Sequence, residues 1–509
     1  MSNQTNGVRR NRYFLLLSIA ILFTSLFVGS SYWCCAEEEE NAPPNVLFIA
    51  VDDLRCALGC FGDEIAVTPN IDRLASEGRL FSRHYVQAPV CGPSRCSMLT
   101  GQRILGSWDA WTDERQLEEE PDSPVSWAHH FRRNGYATVG IGKISHEPGG
   151  TMPPAYEVHQ VPFSWDRAYV PTAQWESPWH AFFAYEGGEA YNAVIRWTRD
   201  EPPRLPYEAG DTDDEGYADA HIAASAIEEL ELLSVEDRPF ALAVGFFKPH
   251  LPHNAPQSYW DLFPAEKVGM VDNFHPPANV DPEICTHQSP ELTAHYLWPS
   301  GVGNISREEA INQRRAYYAC ESYVDAQIGK VLDALDAMPC ADNTIVVLWS
   351  DHGWQLGEHG MFSKHANYEV ATHSPLIIRT PGMSQPGEAA DGIVETVDVF
   401  PTLTDLCELP TPENLPGVSL RSMIEDPMAD GRQSAYSGHG GGKGHFGHAL
   451  RTDRYRLVRW IHNSTGEVGL VELYDHETDP GENINIAAEH PEVVEELTAL
   501  LEVKMAERH

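Results

Sequence analysis

Two apolar runs that lie far apart in the chain both end on acidic residues, and this pairing narrows the folds open to it. Asn45-Val46-Leu47-Phe48-Ile49-Ala50-Val51 leads into Asp52-Asp53, and Thr344 to Trp349 repeats the pattern before Ser350-Asp351-His352-Gly353. A short continuous apolar run suits a strand covered on both faces, because neither face meets water. Further strand candidates are Thr138 to Ile141, Phe240 to Phe247 and Leu376 to Arg379. Helical patterns fall between them at Asn70 to Glu77, Val125 to Asn134, Tyr217 to Leu233 and Arg314 to Ala337. Alternating strands and helices predict an α/β chain with a mainly parallel sheet sandwiched by helices. Ligands gather at the carboxyl ends of strands in such sheets, so Asp52, Asp53, Asp351 and His352 are expected on one edge.

After about Glu425 the texture changes to a Gly- and His-rich loop (Gly438 to His448), hairpin-like strands around Thr452-Asp453-Arg454, and a last helix from Pro491 to Glu507. We read residues 45–425 as the main domain and 426–509 as a smaller C-terminal subdomain, an antiparallel sheet plus a helix. At the other end, Arg9, Arg10 and Arg12 precede an apolar run from Tyr13 to Val28, with small residues at Cys34, Cys35 and Ala36. That order reads as an export signal (residues 1–36) cleaved after about Ala36; an uncleaved anchor is the alternative. Residues 37–44, with Glu37 to Glu40 and Pro43-Pro44, form an acidic leader. Export to a periplasmic, extracellular or lysosome-like compartment permits disulfides. Outside the leader and Cys91 the cysteines are Cys56, Cys60, Cys96, Cys285, Cys320, Cys340 and Cys407, an odd number, so at least one stays unpaired.

A formal charge of -40 argues against nucleic acid, which is held by clustered Lys and Arg. An anionic substrate would have to be caught by a local basic pocket within an acidic body. Lys and Arg supply fixed positive charge to a tetrahedral anion, and a His can deliver a proton at neutral pH. Asp52, Asp53 and Asp351 offer hard oxygens suited to calcium or magnesium, whereas His352 adds a nitrogen that leans toward a transition metal.

Cys91-Gly92-Pro93-Ser94-Arg95, with Thr100-Gly101 following, resembles the signature of type I sulfatases, and Cys91 falls in a turn before a helix. The resemblance implies an alkaline-phosphatase-like fold and oxidation of the cysteine to formylglycine by a formylglycine-generating enzyme. The hydrated aldehyde would attack sulfur with one hydroxyl and expel sulfate through the other, which a serine could not do. At subfamily level, Asn45 to Gly59, Val86 to Arg103, Ile141-Gly142-Lys143 with His146, Phe247-Lys248-Pro249-His250 and Ser350 to Asn367 read like the iduronate-2-sulfatases, in which an Asp-His pair replaces Asp-Asn. Leu473-Tyr474-Asp475 and Asp479-Pro480 complete the likeness, which fades in Gly106 to Glu120 and Gln433 to His448.

Carried over position by position, the resemblance implies that Asp52, Asp53, Cys91, Asp351 and His352 hold Ca2+. Arg95 would steady the nucleophile, Lys143, His146 and Lys364 would hold sulfate oxygens, and His250 would protonate the leaving alcohol. A sulfated saccharide is the expected substrate, with specificity walls at Trp108 to Arg115 and around Lys443, His445 and His448. The alternatives are a phosphonate or phosphate ester hydrolase of the same superfamily, or a glycan-binding protein with a dead site. No stable membrane span is expected after cleavage.

Overall fold

A computed structural model describes residues 42–106, 126–147, 161–192, 195, 202–287, 289–299 and 304–507. The export signal, most of the acidic leader and Trp108 to Arg115 lie outside them. The main sheet is built from β1 (Asn45–Val51), β2 (Arg79–Leu80), β3 (Ala137–Gly142), β4 (Arg167–Tyr169), β5 (Phe240–Phe246), β6 (Thr344–Ser350) and β7 (Leu376–Arg379), in spatial order β2-β7-β6-β1-β5-β3-β4. β1 lies parallel to β5 and β6, and β3 lies parallel to β4 and β5; β7 runs antiparallel to β6 and β2. The sheet is therefore mixed but mostly parallel, as the repeated apolar runs predicted.

Every residue of β1 is buried, and its alternate side chains enter two different cores. Leu47, Ile49 and Val51 join one core, beneath α4 (Ala218–Leu233) and α5 (Arg307–Asp336). Val46, Phe48 and Ala50 join the other, with Met98, Trp127, Phe131, Phe400 and Leu403. The period of two along a strand sends neighbours to opposite faces, so a sheet covered on both sides needs a run with no polar break. α5 begins earlier than its apolar pattern suggested. A capping box between Ser306 and Glu309 starts it, and the polar Arg307-Glu308-Glu309 turn carries no hydrophobic signal.

The C-terminal part is a four-stranded antiparallel sheet in sequential order, β8 (Ala435–Gly440), β9 (His445–Arg451), β10 (Tyr455–His462) and β11 (Val468–Asp475), followed by α6 (Pro491–Ala506). Tyr436, Leu450, Leu457 and Leu473 meet Leu497 and Leu501 of the helix in a core of their own. The turn at Thr452-Asp453-Arg454 is where the sequence placed it. The Gly- and His-rich stretch departs from expectation, since most of it is strand. Glycine there answers a packing demand: a Cβ on Gly447 would lie 2.4 Å from the Asn367 amide nitrogen and 2.8 Å from the Trp460 ring. No disulfide joins the eight described cysteines outside the leader, and most of them are buried.

His84 gives the fold a pH-sensitive point away from the sheet edge. It is fully buried, with Nδ1 at 2.9 Å from the Ser374 carbonyl and Nε2 at 2.9 Å from Thr396 Oγ1. The Trp349 indole donates to that same hydroxyl, which leaves the Thr396 proton free to point at Nε2. The neutral ring is thus satisfied at both nitrogens, and burial pushes its pKa down to about 4. The unfolded chain takes up a proton near 6.5, so this contribution to stability is complete above that pH and is lost as pH falls toward 4. A gap of that size corresponds to about 3 kcal/mol. In His84→Gln, unfolding midpoints measured from pH 7 to pH 4.5 should fall less steeply than in the parent; an unchanged slope would count against this account.

Candidate active site

The ends of β1, β3, β5 and β6 and the start of α1 (Cys91–Thr100) converge on one edge of the sheet. Asp53 follows β1 with a left-handed backbone, φ 61°. A non-glycine residue holds that conformation only where its surroundings enforce it. Here the Asp53 N–H donates to Asp351 Oδ1 at 3.0 Å, and Tyr317 of α5 donates its hydroxyl to the Asp53 carbonyl at 2.7 Å. Gly142 does comparable work at the end of β3, with φ 78° and a virtual Cβ only 2.0 Å from the Gly245 carbonyl. The close approach lets the Lys143 N–H bond Gly245 at 2.9 Å and turns the lysine toward Asp52. That is the reason for the glycine in Gly140-Ile141-Gly142.

Cys91 is the first residue of its helix rather than part of a preceding turn. Its Sγ lies 3.2 Å from Lys364 Nζ, 3.3 Å from His352 Nε2 and 3.7 Å from Asp53 Oδ1. One helical turn on, Arg95 forks between Asp52 (3.0 Å) and Asp351 (2.8 Å) and donates to the Lys143 and Ile144 carbonyls. Lys143 Nζ sits 2.6 Å from Asp52, and Lys364 Nζ 3.0 Å from Asp53. Ser94 donates to the Asp351 carbonyl and so ties the helix start to β6. His352 donates from Nδ1 to the Gly353 carbonyl (3.1 Å), which turns the Nε2 lone pair toward the cluster.

These groups are all buried, and the charges on Asp52 and Lys364 depend on their neighbours. Burial alone would push the Asp52 carboxyl up, but Lys143 and Arg95 outweigh it and hold it well below the usual carboxylate range. Burial likewise opposes the charge on Lys364, and the Asp53 and Glu291 carboxylates override it, so the ammonium is held more firmly than usual. The Cys91 thiol goes the other way: burial, and then Asp52, raise it well above its ordinary value. An unmodified thiol here is neutral and a poor nucleophile at physiological pH.

His146 stands beside Gly92, where a Cβ would approach its ring to 3.5 Å. The surrounding protein and then Lys143 shift its imidazole toward the neutral form, while 44% of the side chain stays exposed. His250 follows β5 in a loop pinned by Asp219, which accepts the N–H groups of Phe247 and Lys248 at 2.8 Å each. The His250 ring bonds the Leu251 carbonyl through Nδ1 at 2.7 Å and brings Nε2 to 3.9 Å from Asp53. Phe182 packs on that ring, centroids 4.6 Å apart, and under Lys143 Nζ at 4.5 Å. Phe182 and Glu291 escaped sequence reasoning, because an isolated aromatic or acid in a helix of five or six residues carries no periodic or motif signal.

The expected walls at Lys443, His445 and His448 lie on or beside β9. Lys443 pairs with Asp281 (2.8 Å) and Glu283 (2.7 Å), and His448 meets the Tyr436 hydroxyl at 2.7 Å. His365, next to Lys364 in the chain, lies against His439, ring centroids 5.4 Å apart.

Ligand atoms of Asp53, Cys91, Asp351 and His352 lie within 4.8 Å of one another, as do those of Asp52, Asp53, Cys91 and His250. A set of hard carboxylate oxygens with one imidazole fits a divalent cation.

The comparisons with known proteins agree with this geometry. The sulfatase family model matches residues 44–409, and a model described as N-sulphoglucosamine sulphohydrolase, C-terminal, matches residues 357–508. The chain belongs to the sulfatase family. This sulfatase is 31% identical over 498 residues to a protein named sulfatase from Formosa agariphila, covering 94% of this chain and 89% of that one. It is 32% identical over 442 residues to iduronate 2-sulfatase of Homo sapiens, covering 79% of this chain and 75% of the other. Among solved structures, one in complex with its substrate D-glucosamine-2-N,6-O-disulfate superposes with a TM-score of 0.68 at 24% identity, covering 92% and 98% of the two chains. Phosphonate monoester hydrolase of Agrobacterium radiobacter gives 0.70 at 22% identity, with 92% and 96% covered. These neighbours share the fold. As a member of the family, this sulfatase is a sulfuric ester hydrolase with the alkaline-phosphatase-like architecture.

Proposed function

We propose that this sulfatase removes sulfate from a sulfated sugar in the manner of the iduronate-2-sulfatases, using Cys91 after its conversion to formylglycine. The observation that carries the reading is the setting of Cys91, whose sulfur touches Lys364, His352 and the edge of Asp53 at the first turn of a helix. Its relatives include iduronate 2-sulfatases, which supports a saccharide leaving group. Asp52, Asp53, Asp351 and His352, with the modified Cys91, would hold Ca2+, whose charge would offset the negative charge gathering on the sulfuryl oxygens. The formylglycine, once hydrated, would supply the attacking hydroxyl.

The remaining roles belong to side chains present in the chain. Arg95, braced between two carboxylates, fixes the helix start that carries the nucleophile. Lys143, beside Asp52, and Lys364, beside Asp53 and Cys91, present fixed positive charge to a sulfate ester. His146, shifted toward its neutral form, would share a hydrogen bond with a sulfate oxygen without adding charge. His250, anchored through Nδ1, would pass the departing alcohol a proton from Nε2.

The reading includes export, since formylglycine formation accompanies secretion in the resemblance that suggests it. No helix among the described residues is long and apolar enough to cross a membrane.

The test is direct. Protein coexpressed with a formylglycine-generating enzyme should hydrolyse 4-nitrophenyl sulfate faster than a 4-nitrophenyl phosphonate monoester and should release sulfate from members of a panel of sulfated saccharides. Preference for the phosphonate would overturn the reading in favour of the other branch of the superfamily. Tight saccharide binding with no sulfate release would overturn it in favour of a binding protein.

A further inference from the structure

Every fixed cation of the site is already matched to a carboxylate. Lys143 meets Asp52, Arg95 meets Asp52 and Asp351, and Lys364 meets Asp53. One more carboxylate joins them from outside the donor cluster. Glu291, on the short helix Pro290–His295, reaches His250 Nε2 at 3.1 Å with Oε1 and Lys364 Nζ at 3.5 Å with Oε2. Its Oε2 is buried and makes no hydrogen bond. The ion pair with Lys364 is thus its partner there, and the oxygen faces the groups that would surround a substrate anion. Unlike Asp52, Asp53 and Asp351, Glu291 does not belong to the candidate metal donors.

We propose that Glu291 is a specificity-determining residue that limits the site to substrates carrying a single negative charge on the transferred group, admitting sulfate esters and excluding phosphate monoesters. The inference rests on the sulfate-ester reading above. Sulfate esters and phosphate monoesters are nearly the same size and shape, so contacts alone separate them poorly; charge separates them well. A sulfate ester is a monoanion at any pH near neutrality, whereas a phosphate monoester is a dianion. A carboxylate fixed on the Lys364 and His250 side of the site consumes positive potential that the second charge of a phosphate would need. Burial opposes the charge on Glu291, but Lys364 and then His250 outweigh it and keep its carboxyl well below the usual range, so it is present as the anion. Specificity here is built from repulsion as much as attraction.

The magnitude is large enough to matter. One extra unit charge at roughly 5 Å, in surroundings with an effective dielectric constant of about 20, changes relative binding by more than tenfold. Neutralising Glu291 should therefore move the preference by about tenfold to a hundredfold without creating any new contact.

Two unreactive probes isolate the effect: benzenesulfonate, a monoanion, and phenylphosphonate, a dianion at pH 8.5. Binding of each is measured by calorimetry to the parent, Glu291→Gln and Glu291→Asp, beside kcat/KM for 4-nitrophenyl sulfate and 4-nitrophenyl phosphate. The parent should favour the sulfonate and the sulfate ester. Glu291→Gln should raise relative phosphonate binding and relative phosphatase turnover by at least tenfold, while Glu291→Asp, which keeps the charge, should stay near the parent ratio. A Glu291→Gln ratio within twofold of the parent, or an equal change in Glu291→Asp, overturns the inference. A residue that merely oriented His250 would lower turnover of both esters together and leave the binding ratio alone, which the same data would reveal as its refutation. Failure of the parent to bind the sulfonate or cleave the sulfate ester overturns the functional reading itself, and is distinct from an unmoved ratio.

Discussion

Cys91→Ala is expected to lower kcat for sulfate-ester hydrolysis by at least about 10^4-fold while leaving the unfolding midpoint near that of the parent. The expected loss is large because the lysines, Arg95 and the acid would still bind and polarise the ester, but nothing would remain to attack it. The fold should survive because Cys91 is small and at a helix start whose backbone bonds do not depend on Sγ; among the described residues its sulfur meets Lys364, His352 and Asp53. Cys91→Ser is the more informative companion. A serine can accept the sulfuryl group, yet it has no second hydroxyl with which to expel sulfate, so at most one equivalent of alcohol should be released before the enzyme stalls. Turnover of 4-nitrophenyl sulfate, burst amplitude and thermal unfolding, measured on the same preparations, check all three statements. Sustained turnover by either variant would refute the formylglycine mechanism.

Arg456→Met should have the largest effect on stability. Arg456 lies on β10, 1% exposed, with Nε 2.6 Å from Glu482 and a second nitrogen on Glu369. Arg451 reaches the same Glu369 oxygen at 3.0 Å, and His476 meets Glu482 at 3.0 Å. Glu369, His476 and Glu482 alone would resemble a metal site, but the two guanidinium groups supply the positive charge. Burial would push the Glu369 carboxyl up, and Arg451 and Arg456 hold it well below its ordinary range instead. This network joins β9 and β10 to the segment that follows Lys364, so it links the C-terminal sheet to the loop carrying a candidate sulfate ligand. Removing one partner of a buried ion pair strands the others and typically costs about 3–5 kcal/mol. The midpoint of urea unfolding should fall accordingly, and part of the loss should return in Arg456→Met/Glu482→Gln, where one stranded charge is removed. A loss below about 1 kcal/mol would show that the network is dispensable.

The chain's local patterns carried more of the fold than of the site. The apolar runs at Val46 to Val51 and Thr344 to Trp349 announced buried parallel strands, because a strand hidden on both faces has no choice of residue type. The acids at their ends announced a shared edge, and the Cys91 pentapeptide announced a special nucleophile, since both are contiguous in sequence. Helix starts were less legible: the first turns of α5 are held by a capping box and carry no apolar period. The C-terminal glycines looked like a flexible loop because glycine marks turns and close packing alike, and only the approach of Asn367 and Trp460 to Gly447 distinguishes them.

Charge pairing across the site was decided by tertiary structure alone. Nothing in the sequence near position 291 says that its carboxylate will reach His250 and Lys364, 41 and 73 residues away. Nor does Lys443 look different from Lys364 until the fold gives one Asp281 and the other Asp53. A motif records the residues that chemistry requires to be neighbours in the chain. Electrostatic partners are chosen through space, and each buried charge in this site depends on groups brought by a different strand, helix or loop.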